Sequence, residues 1–311
     1  MYQLSVSAFG AYTRYELEHP ESGNRFSIVP ERGANVLDLH FGGVNILDGY
    51  DTPEALEQAK WGKSVLLFPF PNRLDRGQYS WQGKTYQFPI NNAATENAIH
   101  GFVRDEAFYV VKIELGLEYA LIQCRFDYDG SRPYYPFPFT LDVTYKIQNN
   151  GQFALKASCL NRHDAPIPIG FGWHPYFKLT EKADDHQMRL PVSAMVEINE
   201  RMIPTGAQTH YTHFYRRKLV ADTFLDNCFQ AGTHSTYKML LEHGIQNLIV
   251  SANAAQFPFF QVFTPPHRES IALEPMSCNV DAFNNGDGLV ILHSQETWKS
   301  EIKLKYSNNP Q

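Results

Sequence analysis

Short segments in which apolar and polar residues alternate recur along the whole chain. Two-residue periodicity puts every second side chain on one face, so these segments predict half-buried β-strands. Most of them are rich in Val, Ile, Phe and Tyr, which suit a pleated sheet, and helical periodicity is scarce. The predicted strands cover residues 25–29, 36–40, 107–113, 119–128, 140–147, 153–160, 259–263, 271–273 and 301–306.

Turn residues between these segments predict two hairpins and one helix. Gln82-Gly83 and Asn149-Asn150-Gly151 each separate two strand-like runs by the short, glycine-containing loop of a β-hairpin. Residues 52–60 predict a peripheral helix, with Thr52 as the N-cap and Pro53 at the first helical position.

The strand pattern continues through the middle of the chain without an internal repeat or a linker. We therefore expect a single domain over residues 1–311. Antiparallel strands that bury one face pack as two layers, which predicts a large antiparallel β-sandwich of two curved sheets. Its concave face would be the place where side chains from distant segments converge.

Composition narrows the possible partners. Hydrophobic residues make up 43% of the 311 residues and charged residues 19%, which is typical of a folded protein with a large core. The net charge is −6 and no dense basic run is present, so a nucleic-acid partner is not expected. No stretch reaches the roughly 18 apolar residues of a membrane span, and the first residues do not resemble a signal peptide, so we expect a cytoplasmic protein without a membrane partner.

Cysteine and histidine spacing gives no reason to expect a metal. The four cysteines are widely separated and are expected to be buried thiols. His210 and His213 have a spacing that can bind a metal, but no third ligand lies nearby, so a surface loop is the favoured interpretation.

Six polar residues stand in unusual apolar, Gly-rich or Pro-rich surroundings. His174 and Glu274 each precede a proline, which restricts them to extended backbone angles. A carboxylate in the apolar run around Glu274 costs several kcal/mol unless it is paired or lies in a cleft. A histidine and a carboxylate fixed in this way suit an acid and a base. The six residues are Arg73, His100, His174, Asp226, Gln261 and Glu274.

Taken singly, these residues also have structural explanations. His174 could be a core histidine bonded to backbone, and His100 a turn residue beside Gly101. Arg73 and Asp226 could form an ordinary ion pair, and Gln261 could point outward from an edge strand. Their combination and order favour a functional interpretation.

The motifs that contain these residues occur in an order that resembles the aldose 1-epimerase, or galactose mutarotase, family. Lys178, Val280 and Ser294-Gln295-Glu296 depart from the family pattern. The matching segments are Asn72-Arg73 with Gly77 and Tyr79, Gly83-Lys84-Thr85-Tyr86, His100-Gly101, His174-Pro175-Tyr176-Phe177, Leu225-Asp226, Gln261-Val262-Phe263-Thr264, Glu274-Pro275-Met276 and Asp281-Ala282-Phe283-Asn284.

The resemblance implies a β-sandwich enzyme that interconverts the α and β anomers of an aldose, without a metal or organic cofactor. Glu274 would be the base at the anomeric hydroxyl and His174 the acid at the ring oxygen, assisted by His100. The implied partner is a small sugar; the sequence defines no oligomeric state. The residues implied to hold sugar hydroxyls are Asn72, Arg73, Asp226 and Gln261.

Arg104 leaves the kind of sugar open. The segment from His100 to Arg104 resembles a hexose-6-phosphate mutarotase branch, in which an arginine meets the phosphate. Alternatively, Arg104 caps a loop or pairs with Asp105 or Glu106. Arg76 could complete an anion site only if it also faced the cleft. Two further alternatives are a non-catalytic carbohydrate-binding sandwich and a glycosidase or lyase. The glycosidase or lyase ranks last because a glycosidase normally needs two opposed carboxylates.

Overall fold

The computed structural model describes residues 1–192, 194–232 and 235–308, and β-strands dominate it. The first fourteen strands are β1 (Gln3–Phe9), β2 (Tyr12–His19), β3 (Asn24–Val29), β4 (Asn35–Phe41), β5 (Val44–Asn45), β6 (Leu66–Leu67), β7 (Arg73–Leu74), β8 (Gln78–Trp81), β9 (Lys84–Gln87), β10 (Ala98–Ile99), β11 (Tyr109–Leu115), β12 (Tyr119–Tyr128), β13 (Phe139–Gln148) and β14 (Gln152–Asn161). The remaining strands are β15 (Ile167–Ile169), β16 (Gly172–Trp173), β17 (Tyr176–Phe177), β18 (Gln187–Arg189), β19 (Ala194–Ile198), β20 (Pro204–His210), β21 (Lys218–Leu219), β22 (Asp226–Gln230), β23 (Thr236–His243), β24 (Gln246–Asn253), β25 (Phe259–Phe263), β26 (Ile271–Met276), β27 (Val290–Leu292) and β28 (Thr297–Ser307).

Two short α-helices and four 3-10 turns interrupt the strands. They are α1 (Pro53–Gln58) and α2 (Ala282–Asn285), with the 3-10 turns at Lys60–Gly62, Asp75–Gly77, Val103–Asp105 and Ala183–Asp185. None of the helices in the described residues is long and apolar enough to cross a membrane.

Three large antiparallel sheets contain most of the strands, which confirms the all-β prediction. Strands β1 to β5 form a five-stranded sheet in sequence order. A nine-stranded sheet has the order β11-β12-β13-β14-β28-β24-β23-β18-β21, and an eight-stranded sheet the order β20-β19-β22-β25-β26-β16-β6, with β17 also paired to β26. The pairs β7/β10, β8/β9 and β15/β27 form separate ribbons. The N-terminal five-stranded sheet is an addition to the two predicted sheets.

Each predicted strand overlaps an observed strand, and the differences are at the ends. The strand predicted at 271–273 continues through Glu274 and Pro275 to Met276, because the pairing with β25 continues past the charge. The strand predicted at 107–113 begins two residues later, at Tyr109, and ends at Leu115. Sequence alternation identifies the strand, whereas the neighbouring strand sets where it ends.

Both predicted hairpins and the helix start are confirmed. Gln82 and Gly83 have φ values of 49° and 76°, the two positive angles of a type I′ turn, and Gln148 pairs with Gln152 across the second loop. The Thr52 hydroxyl accepts a hydrogen bond from the Ala55 N–H at 3.2 Å, as an N-cap does. The helix was predicted to continue to residue 60, but it ends at Gln58 because Ala59 is left-handed.

One hydrophobic core connects the three sheets. The ring centroid of Phe153 in β14 lies 5.3 Å from that of Phe26 in β3 and 6.2 Å from that of Trp173 in β16. Aromatic contacts therefore connect the three sheets. The same cluster of buried residues extends from Tyr2 to Tyr306. All four cysteines are free and buried, as predicted.

Candidate active site

Three neighbouring strands of the eight-stranded sheet carry Asp226, Gln261 and Glu274 on one face. Gln261 in β25 is directly opposite Glu274 in β26, and Asp226 in β22 is diagonal to Gln261, whose direct partner is Cys228. Side chains at such positions point to the same side of a sheet. The Gln261 amide donates to Asp226 Oδ1 at 2.6 Å. Gln261 is buried and does not point outward from an edge strand.

His174 lies between β16 and β17, beside the same face. The backbone N–H of His174 donates to the Val65 carbonyl at 3.1 Å, and its backbone carbonyl accepts from the Ser64 N–H at 2.9 Å. The backbone of His174 is therefore held by two hydrogen bonds. Its Nε2 atom lies 3.2 Å from Glu274 Oε1. The two side chains are 7% and 1% exposed, so this pair is almost fully withdrawn from water.

The β7/β10 ribbon brings Arg73 and His100 to the pair. His100 follows β10, and its Nδ1 accepts from the Asn72 N–H at 3.2 Å. The Arg73 guanidinium donates to Asn72 Oδ1 at 2.9 Å and lies 3.5 Å from Asp226 Oδ2. The rings of His100 and His174 meet edge to face, with centroids 5.3 Å apart.

The turn after His100 requires a glycine at position 101. A Cβ atom on Gly101 would lie 2.0 Å from the Phe68 carbonyl oxygen, and its φ of 64° favours glycine. His100 itself has a φ of 70°, an uncommon angle for a residue with a side chain. The His-Gly pair is therefore held where the chain passes directly against another backbone segment.

A cleft of about 370 Å³ collects all the residues predicted for the site. Its wall contains Asn72, Arg73, His100, Arg104, His174, Asp226, Gln261 and Glu274. A larger cavity of about 810 Å³ lies elsewhere and contains none of them. The cleft is therefore the candidate active site because of its chemistry, although it is not the largest cavity.

Sequence reasoning missed several side chains of the same wall. Tyr176 belongs to the matching segment that begins at His174, and it also lines the cleft; its ring stacks on His174 with centroids 4.9 Å apart and a 12° interplanar angle. Trp173, in contrast, is buried in the core. Phe263 lies in the matching segment that begins at Gln261, and Ile99 directly precedes His100, but neither was predicted to line the site. The other missed residues have no distinctive motif around them; they are Ala59, Trp61, Gly62, Asn91 and Asn92.

Burial shifts the ionisable groups of the cleft toward their neutral forms. It raises the pKa of Glu274 well above its usual value, and the nearby Asp226 charge adds to this, whereas Arg73 opposes it. It lowers the pKa of His174 to about 3, with a smaller contribution from Arg104. The pKa of His100 is lowered well below its usual value, first by burial and then by the neighbouring His174.

Several buried polar atoms of the cleft have no hydrogen-bond partner among the described residues. They are both carboxyl oxygens of Glu274, Oε1 of Gln261, Nε of Arg73 and Nδ1 of His174. Buried polar groups are normally paired. The cleft therefore has unused donors and acceptors for a polar ligand.

The remaining predicted ligands differ in position. Arg104 lines the cleft, and its Nε lies 3.4 Å from Asp105 Oδ2. Arg76 is exposed and does not line the cleft, so it does not complete an anion site there. His210 and His213 are exposed, and no cluster of three metal-ligating side chains occurs within the part of the chain that the structure describes.

Comparison with known proteins identifies the family. The family model for aldose 1-epimerase matches residues 13–305. The uncharacterized protein YihR from Escherichia coli (strain K12) is 29% identical over 283 residues, which cover 88% of this chain and 87% of that protein. The galactose mutarotase of Sus scrofa is 28% identical over 158 residues, which cover 48% of this chain and 43% of that protein.

Solved structures show the same fold. A galactose mutarotase-like protein from Clostridium acetobutylicum superposes with a TM-score of 0.88 at 19% identity, covering 99% of both chains. The galactose 1-epimerase from Lactobacillus acidophilus has a TM-score of 0.84 at 16% identity, covering 99% of this chain and 98% of the other. The chain belongs to the aldose 1-epimerase family.

Proposed function

We propose that this protein is an aldose 1-epimerase that interconverts the α and β anomers of a hexose by acid–base opening and closure of the sugar ring. The observation that carries the proposal is the buried contact of 3.2 Å between His174 Nε2 and Glu274 Oε1 at the base of a polar cleft. A proton can reside on either group of such a pair, which is what reversible ring opening requires.

In ring opening, Glu274 removes the proton from the anomeric hydroxyl and His174 donates a proton to the ring oxygen. The C1–O5 bond breaks as the C1 carbonyl forms, which leaves an open-chain aldehyde and one proton on the pair. Rotation about C1–C2 presents the other carbonyl face. Closure then reverses both transfers: the carboxylic acid protonates the new anomeric oxygen, and the neutral imidazole accepts the proton of the attacking hydroxyl.

Arg73 makes the ionised form of Glu274 accessible. Burial raises the pKa of this carboxyl, and the guanidinium of Arg73 acts in the opposite direction. The role of a base requires the carboxylate, so a positive charge beside the cleft lowers the cost of forming it.

His100 acts as a neutral hydrogen-bond donor near the ring oxygen. Its Nδ1 accepts from the Asn72 N–H, which assigns the ring proton of the neutral form to Nε2. Because its pKa is lowered, mainly by burial, the ring stays neutral at physiological pH. It can therefore polarise the ring oxygen without adding a second charge beside His174.

The hydroxyl groups of the sugar are bound by Asn72, Arg73, Asp226 and Gln261. These side chains already form one hydrogen-bonded row, from the Gln261 amide to Asp226 and from Arg73 to Asn72. The unpaired Gln261 Oε1 and Arg73 Nε supply an acceptor and a donor for adjacent hydroxyls. A row of this kind favours a free hexose.

A hexose phosphate is the alternative substrate, and the position of Arg104 supports it. This side chain lines the cleft and its Nε has no hydrogen-bond partner among the described residues, although Asp105 is near. A guanidinium suits a phosphate because it donates several hydrogen bonds in one plane.

NMR measurement of anomer exchange tests both the activity and the substrate. We expect the purified protein to accelerate exchange of glucose or galactose above the buffer rate, and Glu274→Gln to lower kcat/KM by about 10²–10⁴-fold. Glu118→Gln, at an exposed position, is the matched control. A clear preference for glucose 6-phosphate would favour the phosphorylated substrate.

Two results would contradict the catalytic proposal. One is the absence of accelerated exchange for every free and phosphorylated aldose, and the other is full activity in folded Glu274→Gln protein. Saturable sugar binding without exchange, measured by calorimetry, would instead favour a non-catalytic carbohydrate-binding sandwich.

A further inference from the structure

The imidazole of His174 is bonded at one nitrogen only. Its Nε2 lies 3.2 Å from Glu274 Oε1, whereas no other described residue offers the buried Nδ1 a hydrogen bond. A histidine that carries protons is usually oriented by a hydrogen bond on its other ring nitrogen, which fixes the plane of the ring and its tautomer. Among the described residues, packing has to fix the plane of the His174 ring instead.

Tyr176 supplies this packing. Its ring and the imidazole are nearly parallel, with an interplanar angle of 12° and centroids 4.9 Å apart, which is an offset stack. The other close ring, His100, meets His174 edge to face at 84°, with centroids 5.3 Å apart. A parallel neighbour restrains the tilt of a ring, so the stack determines where Nε2 points.

The side chain of Tyr176 is itself held in place. It is fully buried in β17, where it pairs with Ala272 and its backbone carbonyl accepts from the Asp48 N–H at 2.8 Å. Its hydroxyl donates to the Trp61 carbonyl at 2.8 Å, and the ring of Phe263 lies perpendicular to it with centroids 6.3 Å apart. A side chain anchored at both ends is a rigid support for the ring that stacks on it.

The phenol of Tyr176 does not itself exchange protons with a ligand. Burial raises the pKa of Tyr176 well above its usual range, and the nearby Glu274 charge adds to this. Its proton is also committed to the Trp61 carbonyl. Tyr176 therefore influences the chemistry of the cleft through the imidazole that it touches.

We propose that Tyr176 is a positioning residue, which holds the His174 imidazole in the orientation that points Nε2 into the cleft toward Glu274. The face of a tyrosine ring is electron-rich, so the same stack favours the imidazolium that forms when the proton moves from Glu274 to His174. The effect on rate rests on the proposed function, whereas the restraint on the ring is a property of the folded protein.

Tyr176→Phe and Tyr176→Leu separate the hydroxyl anchor from the stack. Tyr176→Phe keeps the stack, so kcat for anomer exchange of glucose or galactose should fall by only about threefold to tenfold. Tyr176→Leu loses the stack, so kcat should fall by about 10²-fold, the size of effect that a small misplacement of a reacting group has. KM should change by less than about twofold in both variants, because the altered group is His174 and not a sugar contact.

Tyr145 offers matched controls. It is fully buried and donates to the Ala34 carbonyl at 2.8 Å, but it does not line the cleft. Tyr145→Phe and Tyr145→Leu therefore remove the same atoms without touching His174, and their folded forms should keep the wild-type kcat. A kcat loss in these controls equal to that in the Tyr176 variants would overturn the positioning role.

The imidazole ¹⁵N chemical shifts of His174 provide a readout that does not depend on activity, because they report which ring nitrogen carries the proton. We expect one tautomer in the wild type and in Tyr145→Leu, and averaged shifts in Tyr176→Leu. Unchanged shifts or full kcat in folded Tyr176→Leu would overturn the proposal. If Tyr176→Leu does not fold, Tyr176→Phe decides: a lower kcat at unchanged KM supports the proposal, and the wild-type kcat contradicts it.

Failure of the proposed function gives a different result. The wild type would then accelerate exchange for no sugar, and the ¹⁵N shifts alone would decide the role of Tyr176: averaged shifts in Tyr176→Leu would support the restraint on His174, and unchanged shifts would contradict it.

Discussion

At the scale of single residues, Glu274 and His174 form a buried pair of titratable groups in the cleft. Their side chains are 1% and 7% exposed, and their closest atoms are 3.2 Å apart. Burial alone favours a neutral carboxyl and a neutral imidazole, which together hold one proton. Transfer of that proton gives the carboxylate and imidazolium that the proposed ring opening uses. Because the two groups interact, the apparent pKa values measured in a titration belong to the pair and not to either residue alone.

Glu274→Gln is expected to raise the free energy of unfolding while it removes activity. The folded pKa of Glu274 lies above the unfolded value because of burial, so its contribution to stability is lost as pH rises through the folded pKa. The glutamine amide does not ionise, so the Glu274→Gln variant does not lose stability as the pH rises. At pH 8 we expect the variant to be more stable by about 1–3 kcal/mol in urea denaturation.

The stability difference should shrink as the pH falls toward 4, because the wild-type carboxyl is then mostly protonated in both the folded and the unfolded state. Glu118→Gln, at an exposed site, should change little at either pH. A Glu274→Gln protein less stable than the wild type at pH 8 would show that the carboxylate stabilises the folded state.

The pH profile of kcat/KM should lack the acid limb of an ordinary histidine. Burial lowers the pKa of His174 to about 3 and that of His100 well below 6.5, so neither ring should give the acid limb near pH 6.5 that a free imidazole gives. Activity should fall on the alkaline side, as the pair loses its proton through the raised pKa of Glu274. Polarimetry from pH 4.5 to 9 measures this; a decline with an apparent pKa near 6.5 would contradict it.

At the scale of elements, strand register and one tight turn position the site. The pairing of β25 with β26 sets Gln261 opposite Glu274, and a shift of one residue would turn both side chains to the other face. The β7/β10 ribbon and the left-handed His100 supply the other wall. The site therefore depends on a turn that only a residue without Cβ completes.

Gly101→Ala is expected to destabilise the protein more than Gly83→Ala does. Both glycines have positive φ, of 64° and 76°, but a Cβ on Gly101 would lie 2.0 Å from the Phe68 carbonyl oxygen, whereas nothing lies within 4 Å of one on Gly83. We expect a loss of about 1 kcal/mol at Gly83 and about 3 kcal/mol or more at Gly101.

Because His100 moves with its neighbour, Gly101→Ala should also lower kcat/KM, whereas Gly83→Ala should not. Urea denaturation and the exchange assay measure the two effects. Equal losses of stability in the two variants would show that the Phe68 carbonyl yields to the new methyl group.

At the scale of the whole molecule, we propose that the chain forms a single domain. Its main buried cluster includes residues from Tyr2 to Tyr306 and all three large sheets. Phe153 alone contacts aromatic rings of the two other sheets. Since no sheet has this core to itself, loss of one sheet exposes apolar surface of the others.

A single domain predicts one cooperative unfolding transition. Thermal unfolding followed by far-UV and near-UV circular dichroism should give coincident curves with one midpoint. The matched perturbation is Phe153→Ala, which should lower that midpoint without splitting the transition. Two separated transitions, with the first insensitive to Phe153→Ala, would contradict a single domain.

The sequence by itself determined nine of the strands, two hairpin turns and the start of one helix, and it pointed to the candidate chemistry. Alternation along the chain, as in residues 119–128, depends only on which face is buried, so it is readable without a partner strand. The Gln82-Gly83 turn and the Thr52 cap are equally local. The motifs around His174 and Glu274 pointed to the proposed acid and base for the same reason: the residues adjacent in sequence carried the signal.

Only the tertiary structure decided which side chains from distant segments lie close to one another. The 3.2 Å contact of His174 with Glu274, the exposure of Arg76 and the position of Trp61 depend on segments far apart in the chain. Long-range contacts arise from the joint packing of sheets, and no local pattern encodes them. The cleft could not be recognised as one surface in the sequence, because its residues, such as Trp61, His174 and Gln261, come from segments far apart in the chain and form a wall only when those segments pack together.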